Sequence, residues 1–166
     1  MIYTCTIDTP LGEMLAAAKD GNLTGLWFVR QKYYPPFAEN PAPDYPVFAE
    51  ARRWLSAYFA GGNPDFTPPL AAEGTAFRRA VWAALLRIPY GETASYGGVA
   101  AQLEREQGGA VSARAVGGAV GHNPVSLIIP CHRVIGSDGS LTGYGGGIER
   151  KKALLALEKA HSSAKD

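Results

Sequence analysis

Cysteine is scarce in this sequence: two residues, Cys5 and Cys131, in a chain of 166. A pair so far apart is no disulfide framework, and neither CxxC nor the Cys/His spacing of a zinc site occurs. An excess of one charge is also missing. The formal net charge is +1, which by itself points to no partner. No apolar run is long enough to span a bilayer. The opening MIYTCTIDTPLGEML has no basic segment followed by an apolar one, so no secretory signal is expected. There is no internal repeat. The expectation is a cytoplasmic protein in a reducing compartment, with no membrane partner.

What is present can build a core: 46% of residues are hydrophobic and 19% charged. The charge is unevenly spread. Residues 1–70 hold five Lys/Arg and seven Asp/Glu, and residues 71–166 hold eleven and eight. Any contact with nucleic acid is therefore expected in the second part.

Alternating or continuous apolar residues at 2–7, 14–18 and 23–29, divided by DTPLG and KDGN, predict a small antiparallel meander. A Pro-rich loop spans 33–46. Val47, Phe48, Ala51, Leu55, Tyr58 and Phe59 then recur at helical spacing until Gly61 and Gly62. A second Pro-rich stretch, 63–74, divides a domain at 1–70 from one at 71–166. In the second, Thr75 is expected to cap a helix through Leu86, Ser95 one over 96–104, and Ser112 one over ARAVGGAVG. Short helices separated by glycine-containing turns suit a helix-turn-helix. VSLII predicts a buried strand, GSDGSLTGYGGG a loop, and IERKKALLALEKA a closing amphipathic helix.

The segment SLIIPCHRVIG places Cys131 directly before His132 and Arg133. An isolated cysteine is most often a small buried hydrophobe. Here a neighbouring base or cation could supply what a nucleophilic thiol requires, since a thiol of ordinary pKa is mostly protonated at neutral pH. Gly117 and Gly118 inside a helix each cost roughly 1 kcal/mol relative to alanine. Two explanations are open: close packing against another helix, or close approach to a narrow groove of nucleic acid. Arg114 near the start of that helix is a cation able to project.

Together IPCHRVIG, RAVGGAV followed by NP, and GYGGG with LLALE resemble the O6-alkylguanine-DNA alkyltransferases over about Thr75–Ala160. The N-terminal part is similar to that family at a coarser level. The resemblance implies a small ribonuclease-H-like α/β domain followed by a mainly helical, winged-helix-like catalytic domain. It implies repair of double-stranded DNA carrying O6-alkylguanine, and O4-methylthymine as well, by one irreversible transfer of the alkyl group to the protein's own cysteine. Cys131 falls on the acceptor, His132 on the residue that deprotonates it through a water, and Glu158 on the carboxylate that orients the histidine. Asn123 falls on the residue joining the recognition helix to the active-site segment. Tyr96, Tyr144, Val134, Gly145 and Gly146 fall on the substrate pocket, with Tyr96 also helping to turn the nucleotide out. Arg114 falls on the residue that fills the gap left in the stack, with Ala115 and Gly117 beside it and Arg78 at a phosphate. A thiolate and a preorganised pocket suffice, so neither metal nor organic cofactor is expected, and a monomer is.

The stretch from Tyr96 to Arg114 is a few residues longer than the usual connection in that family. Three other readings compete. A damage-binding module without chemistry keeps the fold but lacks the cysteine. A Cys–His hydrolase would turn over without DNA. A plain helix-turn-helix regulator leaves IPCHRVIG unexplained.

Overall fold

The structure, a computed structural model, describes residues 1–35, 40–141 and 143–162. Residues 36–39 of the expected Pro-rich loop and Thr142 of the glycine-rich loop lie outside the described residues. The chain divides into two compact units, Met1–Glu73 with Pro124–Ser126, and Gly74–Asn123 with Leu127–Asp166.

The first unit holds strands β1 (Tyr3–Thr9), β2 (Gly12–Lys19) and β3 (Asn22–Phe28) in one antiparallel sheet of that order. The β2–β3 turn follows from KDGN. Lys19 pairs with Asn22 and leaves Asp20 and Gly21 as a two-residue loop with φ +52° and +83°. Two positive φ values match the twist of the flanking strands, and Asp-Gly supplies them. Helix α1 (Pro46–Phe59) covers the sheet. Its buried residues are Val47, Phe48, Ala51, Trp54, Leu55 and Tyr58. Trp27 lies over Gly25, where a β-carbon would run into the indole ring. Cys5, Trp27 and Trp54 are buried, as a packing role requires, and His161 is on the surface.

The second unit is mainly helical. Its elements are α2 (Ala76–Leu85), β4 (Ala94–Ser95), α3 (Tyr96–Gln107), α4 (Ala113–Gly121), β5 (Val134–Ile135) and α5 (Ile148–Ser162). The three expected caps form. Thr75, Ser95 and Ser112 accept the backbone N–H groups of Arg78, Gly98 and Ala115 at 3.1, 2.9 and 3.0 Å. Each satisfies a donor left over in the first helical turn. β4 and β5 pair in parallel, Ala94 with Val134 and Ser95 with Ile135. Trp82 of α2 donates its indole N–H to the Ala119 carbonyl of α4 at 2.8 Å, which fixes α4 against α2.

Two expectations need correction. Helix α3 continues to Gln107, beyond the expected end at 104, and stops where Gly108 takes φ +75°. The VSLII segment is not a strand. Val125 makes one isolated bridge to Leu26, and residues 126–128 form turns in which Leu127 has φ +71°. All five residues are buried. The apolar run records burial, and an apolar run of that length does not distinguish a strand from any other buried path.

Candidate active site

Cys131 opens a single 3₁₀ turn, Cys131–Arg133, rather than ending a strand. The turn is held at its entrance by Asn123, whose amide donates to the Ile129 carbonyl at 2.8 Å, and by the Cys131 N–H bonded to the same carbonyl at 2.8 Å. Asn123 is itself 4% exposed, so its amide is fixed by the fold before any substrate arrives.

Helix α5 brings the carboxylate. Lys151, Leu154 and Glu158 form its buried stripe, spaced as one helical face requires. Glu158 Oε2 lies 2.6 Å from His132 Nε2. Arg133 donates from Nε to Oε1 at 2.8 Å and from a terminal nitrogen to Oε2 at 3.2 Å. The Gly91 N–H donates to Oε1 at 3.1 Å. Gly91 sits in the IPYGE turn with φ +82°, and a β-carbon there would strike Ser162, so the turn that delivers this N–H needs glycine. His132 and Glu158 are 0% and 1% exposed. A carboxylate only accepts, so His132 Nε2 carries the hydrogen and Nδ1 is the basic nitrogen. Arg133 also donates to the Ile88 carbonyl at 2.7 Å, so its part is structural hydrogen bonding.

The electrostatics follow from burial. Burial pushes the Cys131 thiol up to about 11, against the pull of the Asn123 hydrogen bond and the Lys151 charge. Burial also lowers His132, more than the adjoining Glu158 raises it, with Arg133 and Lys151 lowering it further. The resting site therefore holds a neutral thiol and a neutral imidazole. Thiolate with imidazolium lies uphill of that pair.

Lys151 is a buried cation close to Cys131 that is not among the expected site residues. It is 0% exposed, and Nζ donates to the Val134 carbonyl at 2.5 Å. Burial lowers its pKa while the nearby Cys131 raises it. Its signal was available in the sequence: it shares the helical phase of Leu154 and Glu158 in IERKKALLALEKA.

Tyr144 is buried near the thiol. Burial and the Cys131 charge push its phenol well above the ordinary range, and its hydroxyl has no hydrogen-bond partner among the described residues. Gly145 and Gly146 follow it, the Gly146 carbonyl accepting Arg150 at 3.2 Å. Tyr96 is half-buried and also feels Cys131. Tyr96, Gly97, Ala113, Arg114 and Gly117, with Gly136, Ser137, Asp138 and Gly143, line an open cleft of about 620 Å³, of which Cys131 and Tyr144 are not lining residues. That is room for a small ligand. The pocket wall from Gly136 to Asp138 was not foreseen.

Arg114 and Ala115 are exposed on α4. Gly117 and Gly118 of α4 are not explained by packing among the described residues. A β-carbon at Gly118 would meet nothing within 4 Å, and one at Gly117 would only touch Tyr96 at ordinary distance. Arg78, half-exposed in the first turn of α2, does not line the cavity.

A family model described as 6-O-methylguanine DNA methyltransferase, DNA binding domain, matches residues 76–160, and one described as its ribonuclease-like domain matches residues 1–72. The chain belongs to the 6-O-methylguanine DNA methyltransferase family. It is 50% identical to the methylated-DNA–protein-cysteine methyltransferase of Mycolicibacterium paratuberculosis, over 99% of this chain and 96% of that one. It is 42% identical to the protein of that name from Haemophilus influenzae, over 95% and 87%. Among solved structures it resembles Mycobacterium tuberculosis OGT in complex with DNA, with TM-score 0.86 and 48% identity over 96% of this chain and 94% of that one. The family's two parts, ribonuclease-like and DNA-binding, agree with an α/β first unit and a mainly helical second one. No helix among the described residues is long and apolar enough to cross a membrane. Nor is any group of three or more His, Cys, Asp or Glu among them placed to hold a metal ion.

Proposed function

We propose that the chain repairs duplex DNA by taking the alkyl group from O6 of guanine, and from O4-methylthymine, onto Sγ of Cys131, once per molecule. Methyl transfer from DNA to a protein cysteine is the activity of the family to which the chain belongs. The observation that carries the assignment to Cys131 is that His132, which directly follows the buried thiol in one turn, is paired with the buried Glu158 of α5 at 2.6 Å.

In the transfer a bond forms between Sγ and the alkyl carbon while the carbon–O6 bond breaks, and the electron pair leaves with the guanine. The thiol proton passes by way of a water to Nδ1 of His132, and the released guanine takes up one proton. Glu158 steadies the imidazolium. The Asn123 hydrogen bond and the Lys151 charge favour the thiolate as it forms. The Tyr144 hydroxyl has a hydrogen to give to the departing base. By their match to the family, Val134, Gly145 and Gly146 belong to the pocket that receives it. A thioether offers no bond for water to open, so the acceptor is spent.

A base inside the stack is out of reach of a side-chain nucleophile, so the nucleotide is flipped out. Tyr96 turns it, and Arg114 fills the gap. Helix α4 enters the minor groove, which is only about 6 Å wide. Gly117 and Gly118 support that reading, because nothing among the described residues requires their small size. Arg78 pairs with a phosphate. The chain works as a monomer in the cytoplasm, where reducing conditions keep both free cysteines as thiols.

The test is the intact mass of the protein after incubation with a duplex carrying one O6-methylguanine, beside Cys131→Ala. The expected result is a gain of one CH2 per chain in the parent and none in the variant. A parent that binds the lesion without gaining mass is a damage sensor and not a transferase.

A further inference from the structure

Helix α3 ends at Gln107 and α4 begins at Ala113. Between them Gly108 and Gly109 take φ +75° and +78°, and a β-carbon on either would meet nothing within 4 Å. Two adjacent left-handed glycines in open space form a pivot, because neither has a side chain to fix it. Glu104 grips the connection on both sides of that pivot. Its carbonyl accepts the Gly108 N–H at 2.9 Å, and its carboxylate accepts the Val111 N–H at 2.7 Å. The second bond is charge-assisted and short. Val111 leads directly to Ser112, the cap of α4, and Arg114 is the second residue of that helix. The turn that carries Glu104 is itself braced, since both terminal nitrogens of Arg87 donate to the two oxygens of Glu106 at 2.7 and 2.9 Å. A single exposed ion pair adds little stability, but the two-pronged geometry fixes direction.

We propose that Glu104 is a positioning residue for Arg114: by holding Val111 it sets how the start of α4 is presented to DNA. The proposal rests on the reading that Arg114 enters the stack. Glu104 is exposed, and among the described residues its carboxylate and its carbonyl bond the connection and not Cys131, His132 or Glu158. Its loss therefore leaves the thiol chemistry intact and acts only where an arginine must be delivered into a duplex.

The test compares single-turnover transfer from O6-methylguanine in a duplex and in a short single strand, which offers no duplex stack to enter. The parent, Glu104→Ala, Glu104→Gln and Arg114→Ala are measured side by side. Loss of one exposed charge-assisted hydrogen bond predicts a duplex rate about fivefold lower in Glu104→Ala. Its single-strand rate should match the parent, which also shows that the variant is folded. Glu104→Gln keeps an amide oxygen for the Val111 N–H and should restore most of the duplex rate. A parent-like duplex rate in Glu104→Ala, with Arg114→Ala slow, overturns the role of Glu104 alone. An equal loss on both substrates overturns it too. A parent-like duplex rate in Arg114→Ala overturns the reading of Arg114 and the role of Glu104 with it.

Discussion

His132 Nε2 lies 2.6 Å from Glu158 Oε2, and both side chains are shut away from solvent. The same carboxylate takes two hydrogen bonds from Arg133 and one from the Gly91 N–H. One side chain thus sets the tautomer of the base, neutralises a buried guanidinium and pins a turn. The chemistry and the stability of this unit cannot be separated at Glu158.

Glu158→Ala should accordingly do more than slow the transfer. It strands a buried Arg133 and a buried imidazole, and breaking a buried pair from one side costs about 3–5 kcal/mol. Denaturant unfolding should show a loss of that order. Glu158→Gln keeps one acceptor oxygen and should lose less stability, while its transfer rate falls because the imidazolium is no longer steadied. An Ala variant as stable as the parent would contradict the pairing.

The transfer rate should depend on pH in one direction near neutrality. Burial lowers His132 below its ordinary 6.5, so the ring is neutral at pH 7 and able to take a proton. Protonation removes the acceptor, so the rate should fall only as the pH drops below 6.5. No rise should follow the ordinary thiol titration, because burial pushes Cys131 up to about 11. Single-turnover rates between pH 5 and pH 9 read both, and a rate climbing with midpoint near an ordinary thiol pKa would sink the neutral-pair description.

Stability should fall in alkali through Cys131. The folded thiol titrates at about 11 and the unfolded one near 9.0, so between these values the folded state holds a proton that the unfolded state has lost. Stability from this group is complete below pH 9 and is lost as the pH rises to 11. The difference of 11 − 9 = 2 units corresponds to about 3 kcal/mol at most. Burial pushes Tyr144 upward as well, adding a loss of the same sign, and lowers Lys151, which acts in the opposite sense. Cys131→Ser isolates the thiol. Urea unfolding at pH 8 and pH 10.5 should show a steeper loss in the parent than in the variant.

Features of this fold set by a few neighbouring residues were legible in the sequence. The caps at Thr75, Ser95 and Ser112 are local hydrogen bonds, and the Asp20–Gly21 turn is a local backbone preference, so each could be read from a handful of letters. The path of residues 125–129 could not. Pro124 and Pro130 bracket it, and Leu127 takes a left-handed conformation that its side chain does not advertise. The resemblance supplied Cys131, His132 and Glu158, but the sequence alone gave no sign that Arg133 shares the Glu158 carboxylate across 25 positions of chain. Lys151 was overlooked for another reason. A lysine in a charged run reads as solvent-facing, and only its phase with Leu154 and Glu158 marks it as buried.

Lys151→Met tests that residue. Methionine fills a similar volume without the charge, so the fold should survive, with the Val134 carbonyl left without its Nζ donor at a cost of about 1–3 kcal/mol. The thiol should become harder to ionise, since Lys151 lowers the Cys131 pKa. Labelling of Cys131 by iodoacetamide at alkaline pH should shift its midpoint upward, and transfer from the duplex should slow. An unchanged labelling midpoint would show that the charge does not reach the sulfur.

Gly118→Ala sets the fold against the proposed contact with DNA. The helix interior favours alanine over glycine by about 0.8–1.0 kcal/mol, and at Gly118 a β-carbon meets nothing within 4 Å among the described residues. The variant should therefore be more stable than the parent, by close to that amount, in urea unfolding. If α4 lies against the floor of a narrow groove, the added methyl group instead holds the helix away from DNA. Duplex affinity should then fall several-fold while stability rises. A variant that gains stability and keeps full affinity would mean that α4 does not approach DNA through this face. One that loses stability would mean that Gly118 serves the fold after all. On the proposed reading, the parent sequence gives up helix stability at Gly118 for its contact with DNA.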